Sequence, residues 1–258
     1  MNISALYADV KKEVCCLVSR PKRILFDHLP KCGGSSLTTY LASNYPKRKI
    51  FCIEGSNPRE SVESFKRLSQ NNRYSIDLIQ GHLAHELLDW IHPDTLKITV
   101  LRGPVDRIIS HYYYVKLYKN HYLHEKVSRA AMTLEEYALS GLSNELRNWY
   151  TTHFSGYTVE EAEKSPEESI AKAAEIILRQ YDVVGFLDDF TGFVATLKKK
   201  ARLWSIYKDK KINVAKKRPA LDEISLSIRN TIEQVNFLDI ALYERIKERV
   251  EMRQENRW

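Results

Sequence analysis

Ile24-Leu25-Phe26-Asp27-His28-Leu29-Pro30-Lys31-Cys32-Gly33-Gly34-Ser35-Ser36-Leu37 is the stretch whose reading decides the fold. An apolar run, about 23–28, has the pattern of a buried strand and stops at Pro30. A lysine, two glycines and two serines follow, and helical periodicity runs from about 36 to 45. Strand, small-residue loop and helix together suit a bound phosphate. Glycine lets backbone approach an anion, amides of the first helical turn point at it, and the helix dipole favours its charge. Lys31 adds a full positive charge and Ser35 and Ser36 add hydroxyls. The same residues also make an ordinary strand-to-helix turn, and the loop alone leaves both readings standing. It is not a Walker A loop, because Lys31 precedes the glycines, and it is not a Gly-x-Gly-x-x-Gly fingerprint.

A matching element lies further on, at Ile98-Thr99-Val100-Leu101-Arg102-Gly103-Pro104-Val105-Asp106-Arg107-Ile108-Ile109-Ser110. A β-branched strand, 97–101, ends at a charged residue. Pro104 fits the first helical position and Asp106 suits the first turn. Arg102 can fork onto a phosphate, and Ser110, two turns in, can donate from the helix flank.

Together, Pro30-Lys31-Cys32-Gly33-Gly34-Ser35-Ser36 and Leu101-Arg102-Gly103-Pro104 through Ser110 resemble the two cofactor motifs of a known family. It is that of the sulfotransferases using 3′-phosphoadenosine 5′-phosphosulfate (PAPS), in the branch of the heparan sulfate 2-O-sulfotransferases and their bacterial relatives. The resemblance is specific over about 24–118 and looser to about 243. It implies that Lys31, Cys32, Gly33, Gly34, Ser35 and Ser36 hold the 5′-phosphosulfate, with Lys31 also helping the leaving oxygen. Arg102 and Ser110 would hold the 3′-phosphate. A late loop, matched best by Asn213 and Lys216 in the basic run 208–219, would close over the cofactor. The implied fold is an α/β P-loop-like sulfotransferase fold: one domain over 1–258, a central parallel sheet flanked by helices, and a helical insert at about 119–180.

His82 is the expected base. It follows the strand 76–80 and Gly81, and the C-terminal edge of an open parallel sheet faces the ligand crevice. Lys31 and Arg102 end strands on that same edge. Gln80-Gly81-His82 resembles the His-Gly-His segment of the 2-O-sulfotransferases, with Gln80 in place of the first histidine. A histidine capping the next helix is the plainer alternative, and His85 reads as an ordinary surface or packing residue. His28 stands where heparan-acting relatives carry an arginine, and 119–126 has no arginine. His28 is therefore assigned to acceptor binding, and the acceptor to a neutral sugar, a glycolipid precursor or a small metabolite rather than a heparan-like polymer.

The bulk properties agree without deciding. The chain has 258 residues, 43% of them apolar, and a net charge of +7, with a pI near 9.1. Such a charge calls for an anionic partner. Cys15, Cys16, Cys32 and Cys52 show no metal-ligand spacing, so no metal is expected and the thiols suit a reducing compartment. No apolar run approaches the ~20 residues of a membrane span. The expectation is a cytoplasmic, bacterial enzyme with a small-molecule or carbohydrate acceptor and no nucleic-acid partner. A nucleotide kinase and a non-catalytic basic nucleotide- or nucleic-acid-binding module are the alternatives.

Beyond these motifs, periodicity predicts a leading helix within 1–20, a strand at 49–53 and helices at 58–70, 83–91, 104–118, 133–140, 143–154 and 165–180. A strand at 182–187 and helices at 189–200, from 221 and from 237 complete the pattern. In the last helix Leu238, Leu242, Ile246 and Val250 recur as a core-facing stripe.

Overall fold

The apolar run Ile24–Asp27 is buried along its whole length and forms the middle strand of a five-stranded sheet. The computed structural model describes residues 3–208 and 218–255. The first half runs α1 (Ile3–Ser19), β1 (Ile24–Asp27), α2 (Gly34–Ala42), β2 (Ile50–Cys52), α3 (Pro58–Arg67), α4 (Gln70–Tyr74), β3 (Leu78–Gly81) and β4 (Leu96–Leu101). Six helices follow: α5 (Pro104–Leu117), α6 (His124–Arg129), α7 (Leu134–Leu139), α8 (Trp149–Ser155), α9 (Val159–Lys164) and α10 (Pro166–Gln180). The chain ends with β5 (Val183–Phe186), α11 (Phe190–Ala201), α12 (Leu226–Val235) and α13 (Phe237–Glu255). Two compact units result. The first joins 1–101 to 181–212, and the second joins 102–180 to 213–258.

In the first unit the strand order is β2-β3-β1-β4-β5, every pair parallel. Successive side chains of a strand face opposite ways, and both faces of a parallel sheet must be covered. Ile24 and Phe26 therefore join Leu37 and Leu41 of α2 and Phe193 and Leu197 of α11 on one face. Leu25 joins Ile79 of β3 and Val62 and Phe65 of α3 on the other. β1 and β3 end level, at Asp27 and Gly81, and β4, whose Thr99 is opposite Asp27, runs on to Leu101 at the same edge. α1 is fastened to this unit by Cys16 Sγ on the Asn44 carbonyl (2.8 Å) and Lys12 Nζ on the Ala42 carbonyl (3.0 Å).

The second unit is helical. Ile108, Ile109, Tyr112 and Val115 of α5 pack with Val127, Leu134, Tyr137 and Ile232. Its polar centre is Arg107, which is fully buried and 3.8 Å from Asp239. Arg107 donates to the Glu145 carbonyl (2.8 Å) and lies over the Trp149 and Tyr150 rings. Asp239 accepts the Tyr150 and Thr151 amides (2.9 and 2.8 Å) and so caps α8.

Three expected elements are corrected. Leu83–Ile91 is not an α-helix: Leu83 is left-handed (φ 62°) and only a 3₁₀ turn, Ala84–Leu87, follows. The 143–154 helix is broken at left-handed Asn148, whose side-chain Oδ1 accepts the Leu238 amide (3.0 Å). At 221 there is a 3₁₀ turn, and α12 begins after Ser225. The strand limits differ from those predicted by one or two residues: β1, β2 and β5 are tighter, β3 starts and ends later than expected, and β4 starts one residue earlier, at Leu96. The helical unit is also larger than 119–180, because α5, α12 and α13 belong to it.

Asp239→Ala removes the cap of α8 and leaves Arg107 buried without its carboxylate. Breaking a buried pair by removing one partner costs ~3–5 kcal/mol. The urea midpoint of the variant is expected to fall accordingly. A midpoint equal to that of the parent would remove this pair from the stability of the unit.

Candidate active site

The pairing of β1 with β3 sets Asp27 opposite Gly81, so the next residues, His28 and His82, leave the sheet side by side. Their rings stack with centroids 4.4 Å apart and planes 24° from parallel. His82 Nδ1 lies 2.6 Å from the His28 carbonyl oxygen. A carbonyl only accepts, so Nδ1 carries the hydrogen. In the neutral ring the lone pair then sits on Nε2, the arrangement a base requires. His28 also stacks with Phe26, two residues back on β1, at 5.5 Å.

The loop after β1 is bent by two left-handed residues, Lys31 (φ 66°) and Gly33 (φ 76°). Cys32 is buried, with its amide on the Leu29 carbonyl (3.3 Å) and its Sγ 3.4 Å from the Pro30 carbonyl. α2 starts at Gly34, so the amides of its first turn point out of its N-terminal end. Both glycines are tightly packed. A Cβ on Gly33 would lie 2.5 Å from Leu187 Cδ1, and one on Gly34 would land on the Nε2 edge of His28. The loop is thus a cradle of bare backbone. Ser35 is exposed and Ser36 partly so.

Beneath the loop Asp27 is buried at the end of the central strand. It accepts the Tyr181 hydroxyl (2.6 Å) and lies 3.6 Å from His85 Nδ1. Burial opposes a proton on His85. The hydrogen bond and charge of Asp27, helped by Glu86, outweigh it and raise the His85 pKa above its usual value. For His28 the balance is reversed. Burial first, then the charges of His82 and Lys31, push its pKa down to about 3 against the pull of Asp27. No local pattern marks the Tyr181 contact.

Arg102 and Ser110 belong to the helical unit. The Tyr150 hydroxyl accepts the Arg102 amide and donates to the Arg102 carbonyl, both at 3.1 Å. Arg102 Nε is 2.6 Å from Asp106 Oδ2, and Arg218 Nη2 pairs with the other oxygen of Asp106. Burial, with the like charge of Arg102, lowers the Arg218 pKa to about 10, which leaves it protonated at neutral pH. Two arginines on one carboxylate make a net positive cluster suited to an anion. Arg218 lies within the basic run 208–219, but sequence reading gave it no role of its own. Ser110 is partly buried on α5, one residue before His111, whose Nε2 lies 3.1 Å from Glu145 Oε2. Asn213 and Lys216 lie outside the described residues.

Comparison with known proteins adds two findings. Residues 16–244 match the model of the Sulfotransferase family. Heparan sulfate 2-O-sulfotransferase hst-2 of Caenorhabditis elegans is 23% identical over 193 residues, covering 68% of this chain and 59% of that protein. The chain thus spans about three fifths of that relative's length.

The two histidines carry opposite pH signs. The His28 pKa is depressed below its unfolded value of ~6.5, so the unfolded chain binds the extra proton and stability falls as pH drops below ~6.5. His85 has the raised value, so its contribution is full below ~6.5 and is lost as pH rises through its folded pKa. His28→Phe keeps a flat ring and removes the first effect. Between pH ~6.5 and ~4.5 the variant is expected to lose less stability than the parent, by up to ~1.4 kcal/mol per pH unit. Denaturant titration across that interval checks it, and parallel pH slopes would mean that His28 is not held neutral.

Proposed function

The chain belongs to the sulfotransferase family, and from that premise we propose that it transfers a sulfonate from PAPS to an acceptor hydroxyl, or an amine, with His82 as base. One observation carries the proposal: His82, with its Nε2 lone pair, stands in register beside the strand that runs into the Lys31 loop.

The residues present fit the donor. Gly33 and Gly34 leave bare backbone at the start of α2, and a side chain at either would collide with its surroundings. The amides there and the Lys31 charge suit the 5′-phosphosulfate, with Cys32, Ser35 and Ser36 completing the loop. Arg102, with Ser110 of the helix that follows it, is assigned to the 3′-phosphate. The donor supplies an activated sulfonate, whose sulfur–oxygen bond to phosphate breaks as the acceptor oxygen bonds to sulfur. His82 Nε2 takes the acceptor proton. Lys31 offsets the negative charge that develops on the phosphate side. These roles call for no metal. The relative's name supports a carbohydrate hydroxyl as acceptor, while His28 and the arginine-free 119–126 favour a neutral sugar, a glycolipid precursor or a small metabolite over a heparan-like polymer. The family match includes residues of both units, which supports reading 1–258 as one catalytic domain.

No helix among the described residues is long and apolar enough to cross a membrane. The cytoplasmic, bacterial setting remains part of this proposal and is tested by fractionating the native host. Sulfonate transfer is tested by incubating the enzyme with sulfur-labelled PAPS and a panel of glycans, glycolipid precursors and phenolic metabolites. Label must enter an acceptor for the proposal to stand.

Without added metal, 3′-phosphoadenosine 5′-phosphate at 100 times its dissociation constant is expected to stabilise the fold by ~2.7 kcal/mol. ATP should stabilise much less. In Arg102→Ala the preference for the 3′-phosphorylated nucleotide should shrink by ~1.5–3 kcal/mol, the worth of a charge-assisted bond. Thermal-shift titrations read both, and a larger shift with ATP and Mg²⁺ would replace this reading with a kinase.

His82→Ala is expected to fold, to keep nucleotide affinity and to lose turnover by ~10²–10⁴-fold. Single-turnover rates and nucleotide titrations separate the two effects. A folded and fully active variant would assign the proton to another group.

A further inference from the structure

His28 is the residue that the cradle and the base share. Its ring stacks on His82 at 4.4 Å, its own carbonyl takes the His82 Nδ1 hydrogen at 2.6 Å, and its Nε2 edge occupies the space that a Gly34 side chain would fill. Phe26 lies near-parallel to it at 5.5 Å, with planes 16° apart. One residue therefore fixes the tautomer of the neighbouring histidine through its backbone and the plane of that histidine through its ring. The glycine of the loop is what admits the ring to this place.

From this geometry we propose that His28 is a positioning residue: wedged against the Gly34 backbone, its ring holds the His82 imidazole in plane, so that the bond from Nδ1 to the His28 carbonyl persists and Nε2 stays the lone-pair nitrogen. The proposal rests on the reading of His82 as the base, and it gives His28 a part that needs no contact with the acceptor. The titratable and charged groups around the His28 ring are His82, Asp27 and Lys31, and Asp27 is in turn paired with His85. With His28 held neutral, the stack avoids the repulsion that two imidazolium ions would bring.

The test uses the full chain and two readouts. The first is the ring nitrogen spectrum of ¹⁵N-histidine protein, in which the His82 signals are those missing from His82→Ala. The parent is expected to show a protonated Nδ1 and a lone-pair Nε2 at a pH where the ring is neutral. His28→Ala should give mixed tautomers at His82, and His28→Phe should keep the parent's pattern. The second readout is turnover. His28→Ala should lower kcat by about 10²-fold, the scale of a mispositioned catalytic group, with the KM for donor little changed. His28→Phe should recover most of that loss.

An unchanged His82 spectrum in His28→Ala overturns the proposal. So does a His28→Phe variant with the parent's spectrum but the low kcat of His28→Ala, because a ring nitrogen of His28 would then act in its own right. If His28→Ala does not fold, His28→Phe decides: parent-like spectrum and rate uphold the positioning role, and a lost spectrum refutes it. If the parent transfers no sulfonate to any acceptor, the functional reading fails by itself, and the spectra still decide whether His28 orders His82.

Discussion

The register between β1 and β3 is the constraint on which the site depends. Asp27 faces Gly81 across a parallel pair, so the two chains leave the sheet level with each other, one as His28 and the Lys31 loop, the other as His82. A slip of one residue would turn every side chain of β1 to the wrong face and part the two histidines. The burial of Ile24, Leu25 and Phe26 on both faces resists that slip. Packing of the core and alignment of the candidate base are therefore one requirement.

Charge in the two units is handled by sharing carboxylates. Asp27, buried at the end of the central strand, serves Tyr181 and His85 together. Asp106 serves Arg102 and Arg218, each on a separate oxygen. Asp239 caps α8 while it faces the buried Arg107. In each case one acid stabilises groups from separate segments, which ties segments distant in sequence to one point.

The sequence made the sheet and the phosphate-type loop legible because their signals are local. Apolar runs bounded by Pro30, Gly81 and Arg102 marked the strands, and the glycine pair marked the turn. The helical half was harder to read. Thr158 and Glu161 form a capping box that announces α9, but its helix is a single amphipathic turn and a half and passed unnoticed. The break at Asn148 depends on bonds to Leu238 and to Asn236, some ninety residues on in the chain, and no local pattern encodes it. The same limit hid Tyr181 beneath Asp27 and Arg218 beside Arg102. His82 was legible as a residue at a strand end. Its tautomer was not, because it depends on a carbonyl 54 residues away in sequence.

β5 enters the sheet late. It pairs with β4 across the whole 102–180 segment, as the bond from the Lys97 amide to Asp182, 85 residues apart, records. Closing a loop of that length is slow relative to local helix formation, though its entropic cost grows only with the logarithm of length. During synthesis β4 is therefore an open sheet edge until the chain has returned, and such an edge invites pairing with foreign strands. The helical segment between them packs in part on itself, as α8 does against α10, and in part on α12 and α13, which come later in the chain. If it condenses first, it draws its two ends in and shortens the effective loop. On this account the order of folding is a trait of the topology, and protection of the β4 edge depends on how fast residues 102–180 collapse.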